Sequence, residues 1–321
     1  MKKLVILFQI ILVITACENK SKIEKAVEEV PVDVKVHRFE KDFFESKPED
    51  LAELKQEYPF FFPPGYEQEA VAKLQDPIWK EVFTEVEKKY DNFTPEQEKI
   101  ENLFKHIKYY FPNTKVPVIY TIIGEMDYNT KVLYAKDTLI ISLELYLGKN
   151  HKFYTGSFDS YMRDNFEQNQ ILPDIVSAWA LPRVPPPDNT FLAQMIYAGK
   201  QLYLKDIFLP DYSDADKIGY QPAQAAWCAE NEGYIWSYFV GSQLLYSTDQ
   251  KLVERFLAPA PFSKFYLEID NDSPGRTGAY IGWQIVRAYM ETTGVSIQDL
   301  LRTDAKQIFE KSRYKPKKTN D

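Results

Sequence analysis

The chain has 321 residues, 45% of them hydrophobic and 27% charged, with 22 Tyr, 21 Phe and 5 Trp against only 12 Gly, a composition that builds a sizeable core and excludes wholesale disorder and glycine-rich repeats. Lys and Arg number 39 against 47 Asp and Glu, so the formal charge is −8 and no general attraction to nucleic-acid phosphate is expected.

The first element in chain order is a secretory segment. Met1-Lys2-Lys3 is a short basic start, residues 4–14 are apolar apart from Gln9, and small residues lead into Ala16-Cys17. About 20 apolar residues are needed to cross a bilayer, so the segment reads as a signal peptide rather than a span. A cysteine at its end looks like a lipobox. Residues 1–16 are then the leader and Cys17 the lipid attachment point. Residues 17–30 mix charges with few large apolar groups and are expected to be a lipidated tether, with a short amphipathic helix as the competing possibility. Cys228 is the only other cysteine, and no later run of about 18 apolar residues exists. Attachment by the lipid alone, without an intramolecular disulfide, follows as the expectation.

Residues 31–321 are predicted to form a single α+β domain, predominantly helical. Val32, Val34 and Val36 alternate with polar residues, a strand signal. Helices are predicted near 48–58, 77–90 and 95–111, the first two separated by prolines that no helix interior accepts. Segments 116–123, 131–134 and 138–143 are rich in β-branched and aromatic residues and predict a small antiparallel sheet toward the N-terminal side. Beyond residue 159 the 3.6-residue period dominates, with helices near 171–181, 190–204, 222–247, 249–257, 278–293 and 304–312.

Few residues carry a chemical signature. Gly156-Ser157 and Gly241-Ser242 lack the second glycine of a nucleophile elbow, and Gly199-Lys200 lacks the first glycine of a phosphate loop. His37, His106 and His151 are too far apart in sequence for a His-x-x-x-His pair, so no metal site is expected and each reads as a surface or satisfied polar residue. Glu232 is the exception. It falls on the apolar stripe Cys228, Ala229, Ile235, Trp236, Phe239 and Val240 of one predicted helix, where a carboxylate needs a partner, whereas Glu230 lies on the other side and is expected to be exposed. Structural ion pairing, a cleft role and metal ligation are all open for Glu232. Arg276, just ahead of the helix near 278–293, is the cation proposed to pair with it. Gly278 and Gly282 would give that helix a flat strip for close packing.

The assembled pieces resemble the gliding-motility lipoprotein B family of Bacteroidetes. The resemblance is carried by Val36-His-Arg-Phe39, Met195-Ile-Tyr-Ala-Gly-Lys-Gln-Leu-Tyr203, Ile218-Gly-Tyr220, Asn231-Glu-Gly-Tyr-Ile-Trp236, Leu244-Leu-Tyr-Ser247, Gly282-Trp-Gln-Ile-Val286 and Ser312-Arg-Tyr-Lys-Pro316. It implies a cell-envelope lipoprotein required for gliding, with protein partners in the gliding and type IX secretion machinery and no catalytic activity. The layout also looks like that of predicted zinc peptidases with a His-Glu-x-x-His helix, which implies a zincin-like fold. The corresponding helix would be Ile171-Leu-Pro-Asp-Ile-Val-Ser-Ala-Trp179, where neither Pro173 with Ser177 nor Asp174 with Ala178 supplies two ligands, so the metal site is expected to be degenerate. Glu232, Arg276, Asp174 and Ser177 remain as candidate cleft or ion-pair residues. No cofactor is expected beyond the lipid on Cys17, and no partner beyond the membrane and the machinery's proteins. The rivals are a metal-dependent hydrolase built on Glu232, Glu230 and Asp174, and an envelope solute-binding lipoprotein.

Overall fold

The computed structural model describes residues 22–316; the leader, Cys17 and residues 18–21 lie outside the described residues. The description begins with helix α1 (Lys22–Glu28), so of the two possibilities for this stretch residues 22–28 adopt the helix. The reason is packing. Val27 is buried, and Glu24 meets the buried His106 at 3.4 Å.

Strand β1 (Val36–Arg38) is shorter than the alternation of valines suggests, because its pairing with the next strand starts at Val36 opposite Ile119. Helices α2 (Phe39–Glu45), α3 (Leu51–Glu57) and α4 (Glu67–Gln75) then enclose a small core of Phe43, Leu54, Tyr58, Phe62 and Leu74. Helix α5 (Pro77–Tyr90) starts where Asp76 accepts a hydrogen bond from the Ile78 amide and proline occupies the first turn, which needs no amide donor. Helix α6 (Thr94–Tyr110) follows.

Strands β2 (Val118–Ile122), β3 (Val132–Ala135) and β4 (Thr138–Ser142) complete a four-stranded sheet in the order β1-β2-β4-β3. The sheet is mixed rather than antiparallel. Only β3 and β4 run antiparallel, through a tight turn with Lys136 at φ +52°, while β1–β2 and β2–β4 are parallel. Residues 123–131 explain the difference: the connection is long enough to carry the chain past the position beside β2, which β4 then takes.

Helices α7 (Ser160–Arg163) and α8 (Ile171–Ala180) lead to α9 (Phe191–Phe208), α10 (Asp214–Ile218), α11 (Pro222–Glu230), α12 (Glu232–Gly241), α13 (Lys251–Phe256), α14 (Thr277–Thr293), α15 (Ile297–Arg302) and α16 (Ala305–Ser312). The single helix predicted over 222–247 is two. Asn231 breaks it, its side-chain amide donating to the Trp227 carbonyl at 2.9 Å, and Gly233 follows at once. The heart of this half is the crossing of α9 over α14, where Gly199 and Gly282 meet so closely that a Cβ on Gly282 would lie 1.9 Å from the Met195 carbonyl oxygen. Gly278 faces a different neighbour, the Phe256 carbonyl of α13.

Candidate functional site

Helix α8 is nearly all apolar, and its buried face of Ile171, Leu172, Ile175, Val176 and Trp179 enters the main core. The remaining stripe, at spacings of three and four, is Asp174, Ser177, Ala178 and Leu181, and it forms one wall of a cleft of about 360 Å³. Gln201 and Lys205, one turn apart on α9, form a second wall. Lys131, just ahead of β3, and Arg276, just ahead of α14, close the remaining sides. Three of the four residues expected to belong to a cleft or ion pair, Asp174, Ser177 and Arg276, therefore share one site.

The charges are arranged in layers. The Lys131 ammonium lies 2.6 Å from Asp174 Oδ2, donates to the Asn165 carbonyl at 3.2 Å and sits 5.1 Å from the Tyr146 ring centroid. Tyr146 donates its hydroxyl to the same Asp174 oxygen at 2.8 Å, and burial, with the Asp174 charge behind it, holds that hydroxyl far above its usual pKa, so it stays a donor. Lys205 donates to the Lys217 carbonyl at 2.9 Å. Burial pushes its amine down to about 7; Asp174 opposes that fall, while Arg276 and Lys131 add to it. Arg276 adopts the left-handed conformation at φ +65° and donates to the Ile218 carbonyl at 2.5 Å. The Ser177 hydroxyl donates to the Pro173 carbonyl of its own helix at 3.0 Å.

Glu232 lies elsewhere. It opens α12 and is buried, accepting from Tyr314 at 2.8 Å and from Tyr280 at 3.4 Å. Both donors shown for it are tyrosines, while the guanidinium of Arg276, its proposed partner, donates to the Ile218 carbonyl at the end of α10. Tyr314 thereby ties the segment after α16 to α12 and α14. Beside this cluster the Cys228 thiol, pushed up to about 12 by burial, contacts the Tyr220 hydroxyl at 3.9 Å. Glu230 is exposed, as its position on the helix predicts.

The histidines are dispersed: His37 stacks on Tyr120, His106 contacts the Asn102 carbonyl at 3.0 Å, and His151 faces Glu85 at 3.4 Å. Among the described residues no three His, Cys, Asp or Glu side chains gather as a metal set. Asp174 with a lysine against it does not suit zinc, which takes thiolate, imidazole and carboxylate ligands. Lys131, Lys205 and Tyr146 were not foreseen. Lys205 left the faintest trace, a cation one turn beyond Gln201 on a largely apolar helix; Lys131 left none.

Among the described residues no helix is long and apolar enough to cross a membrane. A family model described as gliding motility protein GldB matches residues 20–316. No curated protein and no solved structure matches the chain.

Proposed function

The chain belongs to the gliding motility protein GldB family, and we propose that it acts there as a non-catalytic assembly or interaction component of the gliding and type IX secretion machinery, held at a cell-envelope membrane by the lipid on Cys17. The family's designation supports gliding and a lipoprotein nature. The observation that carries the non-catalytic part is the state of Asp174. This carboxylate of the cleft is engaged by both Lys131 and Tyr146. Both contacts fall on Oδ2, so the carboxylate is held in an ion pair rather than against a nucleophile, and the nearby Ser177 hydroxyl turns to a backbone carbonyl rather than to a base. The rival hydrolase loses its constellation, since Asp174 lines the cleft, Glu232 belongs to the tyrosine cluster and Glu230 is exposed. A zincin-like ancestry with a lost metal site remains part of this reading, supported by the position of α8 beside the cleft.

The test is complementation of a deletion strain, which is expected to lose spreading. Asp174→Asn and Ser177→Ala, each at normal abundance, should restore spreading to the wild-type extent, and the protein purified without chelator should hold no stoichiometric metal by elemental analysis. Abolished spreading with a folded Asp174→Asn protein, or one zinc per chain, would overturn the non-catalytic reading.

A further inference from the structure

The cleft holds more positive charge than the fold uses. Lys131 and Lys205 expose only 8% and 7% of their surface, and Arg276 is steadied by the Ile218 carbonyl. One carboxylate, Asp174, lines the cleft with these three cations, and Lys131 takes it at 2.6 Å. The remaining two cations are met by carbonyl oxygens, Lys217 for Lys205 and Ile218 for Arg276, which solvate charge without neutralising it. The Arg276 guanidinium, and the Lys205 amine in the fraction that carries its proton, are therefore left uncompensated in a partly dry wall of a protein whose overall charge is −8. Burying charge in this way forfeits hydration, and apolar side chains of the same size would close the wall without that loss. A ligand of opposite charge removes the cost.

We propose that this cleft binds a small dianionic oxyanion, a dicarboxylate or a phosphate, clasped between Arg276 and Lys205 with the Lys131–Asp174 pair beside them and the Gln201 amide within the same wall. The guanidinium keeps N–H donors beyond the one given to Ile218, in a planar fork that matches carboxylate and phosphate geometry. The ammonium of Lys205 has three donors, of which the Lys217 carbonyl takes one. The volume of about 360 Å³ admits a small molecule or the end of a chain and excludes a folded partner. This inference goes beyond the family role and does not rest on it.

The charged groups that face Lys205 are Asp174 from α8, Lys131 from the segment before β3 and Arg276 from the start of α14. The Lys205 amine, held near 7 in the free protein, regains its proton when a dianion lies beside it. Binding then takes up a proton and weakens as the pH rises past that value.

The experiment is thermal melting of the full-length chain in mild detergent against succinate and against inorganic phosphate, at constant ionic strength with chloride as reference. A saturable rise in Tm with at least one of the two is expected, larger at pH 6 than at pH 8 for succinate, which stays mainly dianionic over that interval whereas phosphate itself takes up a proton near 7, and the anion that succeeds identifies the chemistry. Lys205→Met and Arg276→Gln should each weaken binding tenfold or more, and Lys205→Met should abolish the pH dependence. Arg276→Lys, which keeps the charge but not the fork, should bind with intermediate affinity and serves if either of the others fails to fold. Lys115→Gln, at an exposed cation away from this cleft, should bind as the wild type does. No stabilisation beyond chloride, unaltered binding by the cleft variants, or an equal loss with Lys115→Gln would each overturn the proposal. Binding in vitro and spreading in vivo are separate readouts, so failure of either leaves the other to be judged alone.

Discussion

Glu144 follows β4 and is completely buried; one carboxylate oxygen lies 3.4 Å from the Met126 amide, and the other has no hydrogen-bond partner among the described residues. Burial raises this carboxyl to about 7, against the lowering influence of backbone amides at Glu144, Gly124 and Met126 and of Lys73. The sign of the pH effect follows. The folded protein holds the proton more tightly than the unfolded chain, so the contribution to stability is full below 4.5 and is lost as the pH rises through about 7. Urea denaturation across that interval should show wild-type stability falling with pH relative to Glu144→Gln, whose neutral amide removes the titration. Parallel curves for the two proteins would contradict the assignment. Neither Glu144 nor Lys131 was legible in the sequence, because a lone charged residue near strands becomes exposed or buried only once the sheet acquires its neighbours.

At the scale of elements, the α9–α14 crossing is the contact least tolerant of change. A Cβ on Gly199 would lie 2.3 Å from the Gly282 carbonyl oxygen, and backbone cannot move aside as the end of a side chain can. Gly282→Ala should therefore cost about 3 kcal/mol or more, read as a lower urea midpoint or Tm. Gly241→Ala, at the end of α12 with nothing within 4 Å of the added methyl, should change stability by no more than about 1 kcal/mol. Equal effects would mean that the two helices do not cross in such close contact. The flat strip was legible from Gly278 and Gly282, yet its partners were not: Gly282 meets α9 and Gly278 meets α13. The long helices near 77–90, 95–111 and 278–293 were legible because several turns repeat the apolar period. Short ones such as α10 and α15 were missed; each has barely more than a turn and is started by a serine cap, Ser213 or Ser296.

At the scale of the whole molecule, membrane attachment is a prediction of the sequence alone, since Cys17 lies outside the described residues. The cysteine that ends the leader makes the lipid the expected anchor. Cys17→Ala should move the protein from the membrane fraction to the soluble one and remove the mass of the lipid. Retention of Cys17→Ala in salt-washed membranes would point to a different attachment.

The sequence by itself determined the α+β class, the long helices and the family, because each is written in local composition, periodicity or short strings of residues, and the address segment is its prediction alone. Tertiary structure decided the rest. The order and direction of the strands depend on where a connection carries the chain, so the sheet became mixed. Glu232 accepts from tyrosines 48 and 82 positions away, which no local pattern announces. The cleft gathers Lys131, Asp174, Lys205 and Arg276 from four parts of the chain. No local pattern connects those residues; only the packing of α8, α9 and α14 beside the sheet brings their charges within reach of one another.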